Sequence, residues 1–205
     1  GPVTGDAGND NINIGGNATD SVDGGDGNDE ITVDGTASGP VTGGAGEDDI
    51  TLENATNSVD GGADDDSINI GSAAGNVMGG AGNDTINLDE ASGSMVSGGL
   101  GDDLINAGSS TAPISGDEGA DTLEVTNGPA TLDGGDGNDA LTGGAGGAGS
   151  DSLVGGAGND SLWGGADPAP ETSSFGSTPE LDGDVLNGGN GADRFVFKST
   201  TETGA

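Results

Sequence analysis

Apolar side chains return down this chain in register. One rank holds Ile12, Ile31, Ile50, Ile68, Ile86, Ile105 and Leu123, and two residues later comes Ile14, Val33, Leu52, Ile70, Leu88, Ala107 and Val125. The positions between and before them are mostly polar, as in Asn11 and Asn13 or Ser67 and Asn69. Alternation with a period of two predicts a short strand with one face turned inward. A third apolar rank, Val3, Val22, Val41, Val59, Val77, Val96, Ile114 and Leu132, stands just before a glycine-rich turn. Each repeat is therefore expected to hold two short strands joined by two turns. Because the pattern returns every 18 or 19 residues, the predicted fold is all-β, a parallel β-roll or β-solenoid. Strands of successive coils would stack at about 4.8 Å into two thin parallel sheets. The core between them would be about one side-chain layer thick, so burial alone gives limited stability.

The two turns of a coil differ. One carries the hexapeptide GGxGxD or a close variant, and its sixth position is always aspartate: Asp10, Asp29, Asp48, Asp66, Asp84, Asp103, Asp121 and Asp139. Its glycines are Gly5 and Gly8, then Gly24, Gly25 and Gly27, then Gly43, Gly44 and Gly46, then Gly61 and Gly62. Gly79, Gly80 and Gly82 follow, then Gly98, Gly99 and Gly101, then Gly116 and Gly119, then Gly134, Gly135 and Gly137. Asp64 replaces the fourth glycine of one copy, and Asp6 and Asp117 replace the second glycine of two others. At Asp64 this puts the turn geometry in question; it is either tolerated drift or an extra side-chain ligand. The other turn varies in sequence and length, sets the difference between 18 and 19 residues, and is expected to be loosely constrained.

Composition sharpens this picture. The chain has 205 residues, 2% aromatics and a formal charge of −35. Low hydrophobicity with high net charge would by itself predict disorder. Disorder requires no register, however, so bound cations that let a polyanion collapse reconcile the two readings. Glycine opens backbone angles closed to other residues, so the turn can direct carbonyl oxygens to one point. The aspartate adds an anionic oxygen. Calcium takes six to eight such oxygens at about 2.3–2.6 Å, whereas magnesium wants a smaller, rigid octahedron. One turn supplies half a shell and the turn stacked on it the other half, so each ion would rivet neighbouring coils, for example between Asp10 and Asp29.

With no Cys and no His, disulfides, zinc fingers, thiol nucleophiles and histidine acid–base chemistry are excluded. No apolar run approaches the length of a membrane span, and no secretory leader is recognisable at the N-terminus. The chain opens inside a repeat, as expected of a piece of something longer. A strongly negative chain repels nucleic acid. No catalytic site can be argued, because the acids are already explained by the turns, and no enzymatic activity is expected.

The segments GGDGNDEIT from Gly24, GGAGNDTIN from Gly79 and GGAGNDSLW from Gly155 resemble the glycine-rich nonapeptides of the repeats-in-toxin (RTX) family, whose pattern is GGxGxDxUx with U a large apolar residue. The resemblance runs from Gly5 to about Phe197. It implies a parallel β-roll with calcium in the turns, secretion by a type I system in Gram-negative bacteria, and folding outside the cell. In the usual roll the nonapeptides follow one another directly and both edges carry calcium. Here, up to Asp139, only every other turn matches, which implies one cation row in residues 1–142.

Organisation changes at Gly143. GGAG is followed by GGAGSDSLV from Gly146, then GGAGNDSLW with Gly155, Gly156 and Gly158, then an insertion over 167–183, and finally GGNGADRFV with Gly188, Gly189 and Gly191. If the edges alternate, Asp160 and Asp193 extend the first row, while Asp151 and Asp184 begin a second on the opposite edge. Residues 143–197 are thus expected to form a two-sided roll continuous with the first part, with 198–205 as a tail. About ten calcium ions would offset roughly 20 of the 35 negative charges, with binding coupled to folding. Phe195 and Phe197 are expected to close the end of the core. Arg194 and Lys198, the only basic side chains, are expected to be solvated or paired with a nearby carboxylate. Trp163 is expected to pack beneath the insertion, with sugar stacking as the alternative.

The expected role is a calcium-binding structural module of a secreted or cell-surface bacterial protein, with surface-layer or adhesin use preferred. Partners would be calcium, copies of the same chain or a surface polysaccharide. An accessory module of a secreted protease, lipase, epimerase or toxin is the alternative. Ice binding is the minor one, because the third turn position reads Ala7, Asp26, Ala45, Ala63, Ala81, Leu100 and Glu118, with no threonine rank.

Overall fold

A computed structural model describes residues 1–93, 95–144, 150–165 and 184–196. The expected period-two strands form. Two parallel sheets, each of ten strands, face one another. The first holds Val3–Ala7, Val22–Asp26, Val41–Ala45, Val59–Ala63, Val77–Ala81, Val96–Leu100, Ile114–Glu118, Thr131–Asp136, Ser152–Ala157 and Val185–Asn190. The second holds Asn11–Ile14, Glu30–Ala37, Asp49–Ala55, Ser67–Ala73, Thr85–Ala91, Leu104–Ser110, Thr122–Asn127, Ala140–Thr142, Ser161–Trp163 and Arg194–Phe195. The chain alternates between the sheets, so each rung, numbered 1 to 10 from the N-terminus, contributes one strand to each. Among the described residues there is no helix.

Register is fixed by the core. Ile31, Ile50, Ile68, Ile86, Ile105, Leu123, Leu141 and Leu162 stack at 0–1% exposure, and Val22, Val41, Val59, Val77, Val96, Ile114, Leu132 and Leu153 face them from the other sheet. A slip of one residue would turn every one of these side chains into water. Phe195 continues the first rank in register with Leu162 but is 40% exposed at rung 10. Phe197, Lys198, the tail 198–205 and the 167–183 insertion lie outside the described residues. Arg194 is exposed beside Phe195.

The variable turn is more constrained than its sequence suggests. In rungs 2 to 6 the second-sheet strand runs on through it to a buried small residue, in the series Ala37, Ala55, Ala73, Ala91 and Ser110. Their backbones pair rung to rung, and Ala18 joins Ala37 by an isolated bridge. This fourth inner rank of small, buried side chains closes the edge opposite the aspartates. The extra residue of a 19-residue coil is absorbed around this rank. In rung 2 it is a bulge between Val33 and Thr36, where the pairing with rung 3 shifts; such an insertion bends one strand without breaking the ladder on either side.

Candidate metal centres

Each aspartate turn leaves a first-sheet strand and enters a second-sheet strand, so the row of turns runs the length of one edge. The second and fourth positions curl through positive φ. At the second these are Gly25, Gly44, Gly62, Gly80, Gly99, Gly135, Gly156 and Gly189, and at the fourth Gly8, Gly27, Gly46, Gly82, Gly101, Gly119, Gly158 and Gly191. Gly137 occupies the fourth position of rung 8 without a positive φ. Asp6, Asp64 and Asp117 keep the same curl at φ 72°, 77° and 76°, a region that aspartate tolerates better than most residues. Asp6 accepts a hydrogen bond from Thr4 Oγ1 at 3.2 Å, and Asp117 accepts from Ser115 Oγ at 2.7 Å and from Ser97 Oγ.

The sixth-position aspartates turn inward under the curl. Asp29, Asp48, Asp66, Asp84, Asp103, Asp121, Asp139 and Asp160 are each 0–3% exposed; Asp10 and Asp193, nearer the two ends, are half-buried. Their carboxylates form a continuous ladder in which the backbone N–H of each aspartate donates to Oδ1 of the aspartate one rung on. The series runs from Asp10 to Asp29 and so through Asp139 to Asp160 and Asp193, at 2.7–3.2 Å. The second oxygen has no partner. Oδ2 of Asp10, Asp29, Asp48, Asp66, Asp84, Asp103, Asp121, Asp139 and Asp160 is buried without a hydrogen bond.

Those oxygens share their space with backbone carbonyls. A methyl on Gly5 would lie 2.7 Å from Asp10 Oδ2 and would also overlap the carbonyl oxygen of Gly24. A methyl on Gly79 would meet Asp84 Oδ2 and lie 2.7 Å from the carbonyl of Gly98. Gly24, Gly43, Gly61, Gly134 and Gly155 repeat the pattern with the next rung's carbonyl, as does Gly116 with that of Gly134. At Gly98 and Gly188 the methyl would run into the aspartate. The first glycine thus has no side chain because carboxylate and carbonyl oxygens converge beneath it. Among the described residues no three acidic side chains gather at one point; a cation here would draw one carboxylate per turn and the rest from carbonyls.

Burial pushes Asp66 and Asp103 up to about 7 and Asp139 to about 6. The backbone N–H of the preceding aspartate opposes this, and neighbouring carboxylates add to it. Asp48, Asp84 and Asp121 move upward for the same leading reason. An anion buried with one oxygen unsatisfied is costly, and a hard cation with oxygen ligands reverses that cost. The donor set therefore fits calcium.

On the opposite edge, Asp151 Oδ1 accepts from the N–H of Ala130 at 2.6 Å, and the N–H of Asp151 donates to Asp184 Oδ1 at 2.8 Å. The first-position glycines of this edge are Gly143 and Gly164, where an added methyl would strike the carboxylates of Asp151 and Asp184. Gly146, where the sequence places the start of this hexapeptide, lies outside the described residues. Trp163 pairs in register with Thr142 on the outer face of the second sheet.

One set of residues was not anticipated. The fifth turn position carries a second ladder of opposite sense, on the exposed tip of the turn. Asn9 Oδ1 accepts from the N–H of Asn28, and Asn28 Oδ1 from that of Glu47, at 3.1 and 3.3 Å. Asp65, Asn83 and Asp102 accept in the same way from Asn83, Asp102 and Ala120 at 2.7–2.8 Å. Asn138 and Asn159 accept from Asn159 and Ala192 at 2.9 and 3.0 Å.

Fold and donor set together define a parallel β-solenoid with a cation row in its glycine turns. The family model of the RTX calcium-binding nonapeptide repeat matches residues 69–90, 95–111, 115–147, 146–167 and 182–197, more than half of the chain. The chain belongs to that family and is a calcium-binding, β-helical repeat module. RTX repeat proteins are typically extracellular, and no helix among the described residues is long and apolar enough to cross a membrane. A solved structure with the same fold is a hyperactive, Ca2+-dependent, β-helical antifreeze protein from an Antarctic bacterium. It is 24% identical with a TM-score of 0.72, over 96% of this chain and 67% of the other. No curated protein matches the chain.

Proposed function

We propose that this solenoid is a calcium-folded structural module of a bacterial protein exported by a type I system, serving as a surface-layer or adhesin scaffold. The observation that carries the reading is the file of nine buried Oδ2 atoms without partners, one per rung from Asp10 to Asp160. At the low calcium of the cytosol these carboxylates repel, and the chain stays extended and exportable. Extracellular calcium modules bind with Kd of roughly 10⁻⁴–10⁻³ M, which places folding outside the cell. The long rigid rod and its negative surface suit a scaffold in which calcium also joins neighbouring copies or a surface polysaccharide.

Small-angle scattering tests the switch. An extended chain in chelator that becomes a compact rod at millimolar calcium supports it, and a rod in both conditions contradicts it. The scaffold role is tested on the full-length protein by electron microscopy. Calcium-dependent arrays or fibres are expected, and a monomer at every calcium concentration would favour an accessory module of a secreted enzyme or toxin. Ice binding is not favoured, because the outward third position of the turn carries Ala45, Ala63, Ala81, Leu100 and Glu118 rather than a threonine rank.

A further inference from the structure

The ladder at the fifth turn position is broken at two junctions. Between rungs 3 and 4 the residue that should accept is Glu47. Its carboxylate is one methylene longer and turns back instead, where Oε2 accepts from Asn28 Nδ2 at 3.5 Å. Between rungs 7 and 8 the residue is Ala120, which has no side-chain oxygen. The amides of Asp65 and Asn138 therefore lack the side-chain acceptor that the equivalent amides of Asn28, Asn83, Asp102, Ala120 and Asn159 have. Positive φ at a non-glycine residue occurs beside both breaks, at Asp64 (77°) in the turn after the first and Asp117 (76°) in the turn before the second, and also at Asp6 (72°) in rung 1, where the outer ladder is intact, so the missing acceptors alone mark the two junctions.

Each candidate cation site lies between two stacked turns, so its shape depends on how those turns are held together. Two ladders hold them in most junctions: the buried one through Oδ1 of the sixth position, and the outer one through the fifth. At rungs 3/4 and 7/8 the outer side-chain ladder is missing, while the buried one continues through Asp48 to Asp66 at 2.8 Å and Asp121 to Asp139 at 2.9 Å, beside the backbone bonds from Gly46 N–H to the Ala63 carbonyl at 3.0 Å and from Gly119 N–H to the Asp136 carbonyl at 2.9 Å.

Resting on the calcium reading above, we infer that the fifth-position side chains are positioning residues that divide the cation row into three blocks, rungs 1–3, 4–7 and 8–10. Sites inside a block fill together, and the sites at the two seams fill last. Ordering one turn of a block orders the amide–oxygen pair of the next, which is what makes filling within it cooperative. At a seam that coupling is weaker.

The test is residue-resolved amide exchange by NMR through a calcium titration of the whole chain. Amides of rungs 4–7 are expected to gain protection over one narrow calcium range, separated from rungs 1–3 and 8–10. Ala120→Asn restores an acceptor and should merge the second and third transitions. Asn83→Ala removes the acceptor of the Asp102 amide and should split the middle block between rungs 5 and 6, raising the calcium midpoint at that junction about fivefold, the worth of one net hydrogen bond. Asn83→Asp gives up the Nδ2 donor to Asp65 but keeps the acceptor for the Asp102 amide, so the coupling of rungs 5 and 6 should persist as in the parent, a rescue that a loss of packing would not show. One transition for all rungs, unmoved by Ala120→Asn and Asn83→Ala, overturns the block inference and leaves the calcium reading standing. Protection that does not respond to calcium in any rung overturns both.

Discussion

At the scale of single residues, the first glycine of each turn and the aspartate five positions later form one unit. Gly79→Ala would place a methyl against Asp84 Oδ2 and the Gly98 carbonyl. The calcium midpoint of folding should rise at least about tenfold, equivalent to ~1.4 kcal/mol, when followed by calorimetric titration. Asp64→Gly is the opposite case. Its left-handed φ is strained for any side chain, so relief should stabilise the calcium-loaded fold by about 0.5–1 kcal/mol in thermal melts. A loss of calcium affinity instead would show that the Asp64 carboxylate is a ligand. Protons also act at this scale. Asp66 and Asp103 titrate near 7 and Asp139 near 6 in the ion-free fold, above the ordinary 3.8. That fold binds more protons than the unfolded chain between about pH 4 and pH 7, so its stability falls as pH rises through this window. In chelator, β-structure should be stronger at pH 4.5 than at pH 8. In calcium the order should invert, with a higher calcium midpoint at pH 5.5 than at pH 7.5, because protons compete for the same oxygens.

At the scale of strands and turns, the inward ranks of Ile, Val and Leu were legible from period two alone, because a strand has only two faces. The aspartate turn was legible because one geometry demands glycine and aspartate at fixed places. The alanine rank was harder to see. Ala37, Ala55, Ala73 and Ala91 recur with the same period, but alanine is common in loops and carries no strong strand preference, so it did not announce burial. The fifth-position ladder was hidden for another reason. Asn, Asp, Glu and Ala alternate there, and only coordinates show that Asn and Asp place the same oxygen over the next amide. Gly143 and Gly146 both begin GGAG, and the sequence alone did not show that Gly143 would lie against the Asp151 carboxylate. A test at this scale is Ala73→Leu. Ala73 is 1% exposed, and overpacking there should cost about 1–3 kcal/mol in thermal melts of the calcium-loaded protein. Unchanged stability would return the variable turn to the loosely held loop its sequence suggests.

For the whole molecule, the governing fact is the mismatch between a thin core and a charge of −35. Two sheets one side chain apart bury Ile, Val, Leu and Ala, while a file of carboxylates is drawn beneath the turns with half of each unsatisfied. Solenoids gain stability rung by rung, so a cation shared between rungs contributes at every junction. The central claim is that the ions are part of the fold, and far-UV circular dichroism during a calcium titration from chelator to millimolar, with magnesium as control, tests it most directly. A cooperative coil-to-β transition with calcium and none with magnesium is the predicted result. A full β spectrum already present in chelator at pH 8 would contradict the claim, since the apolar ranks would then hold the rungs together unaided.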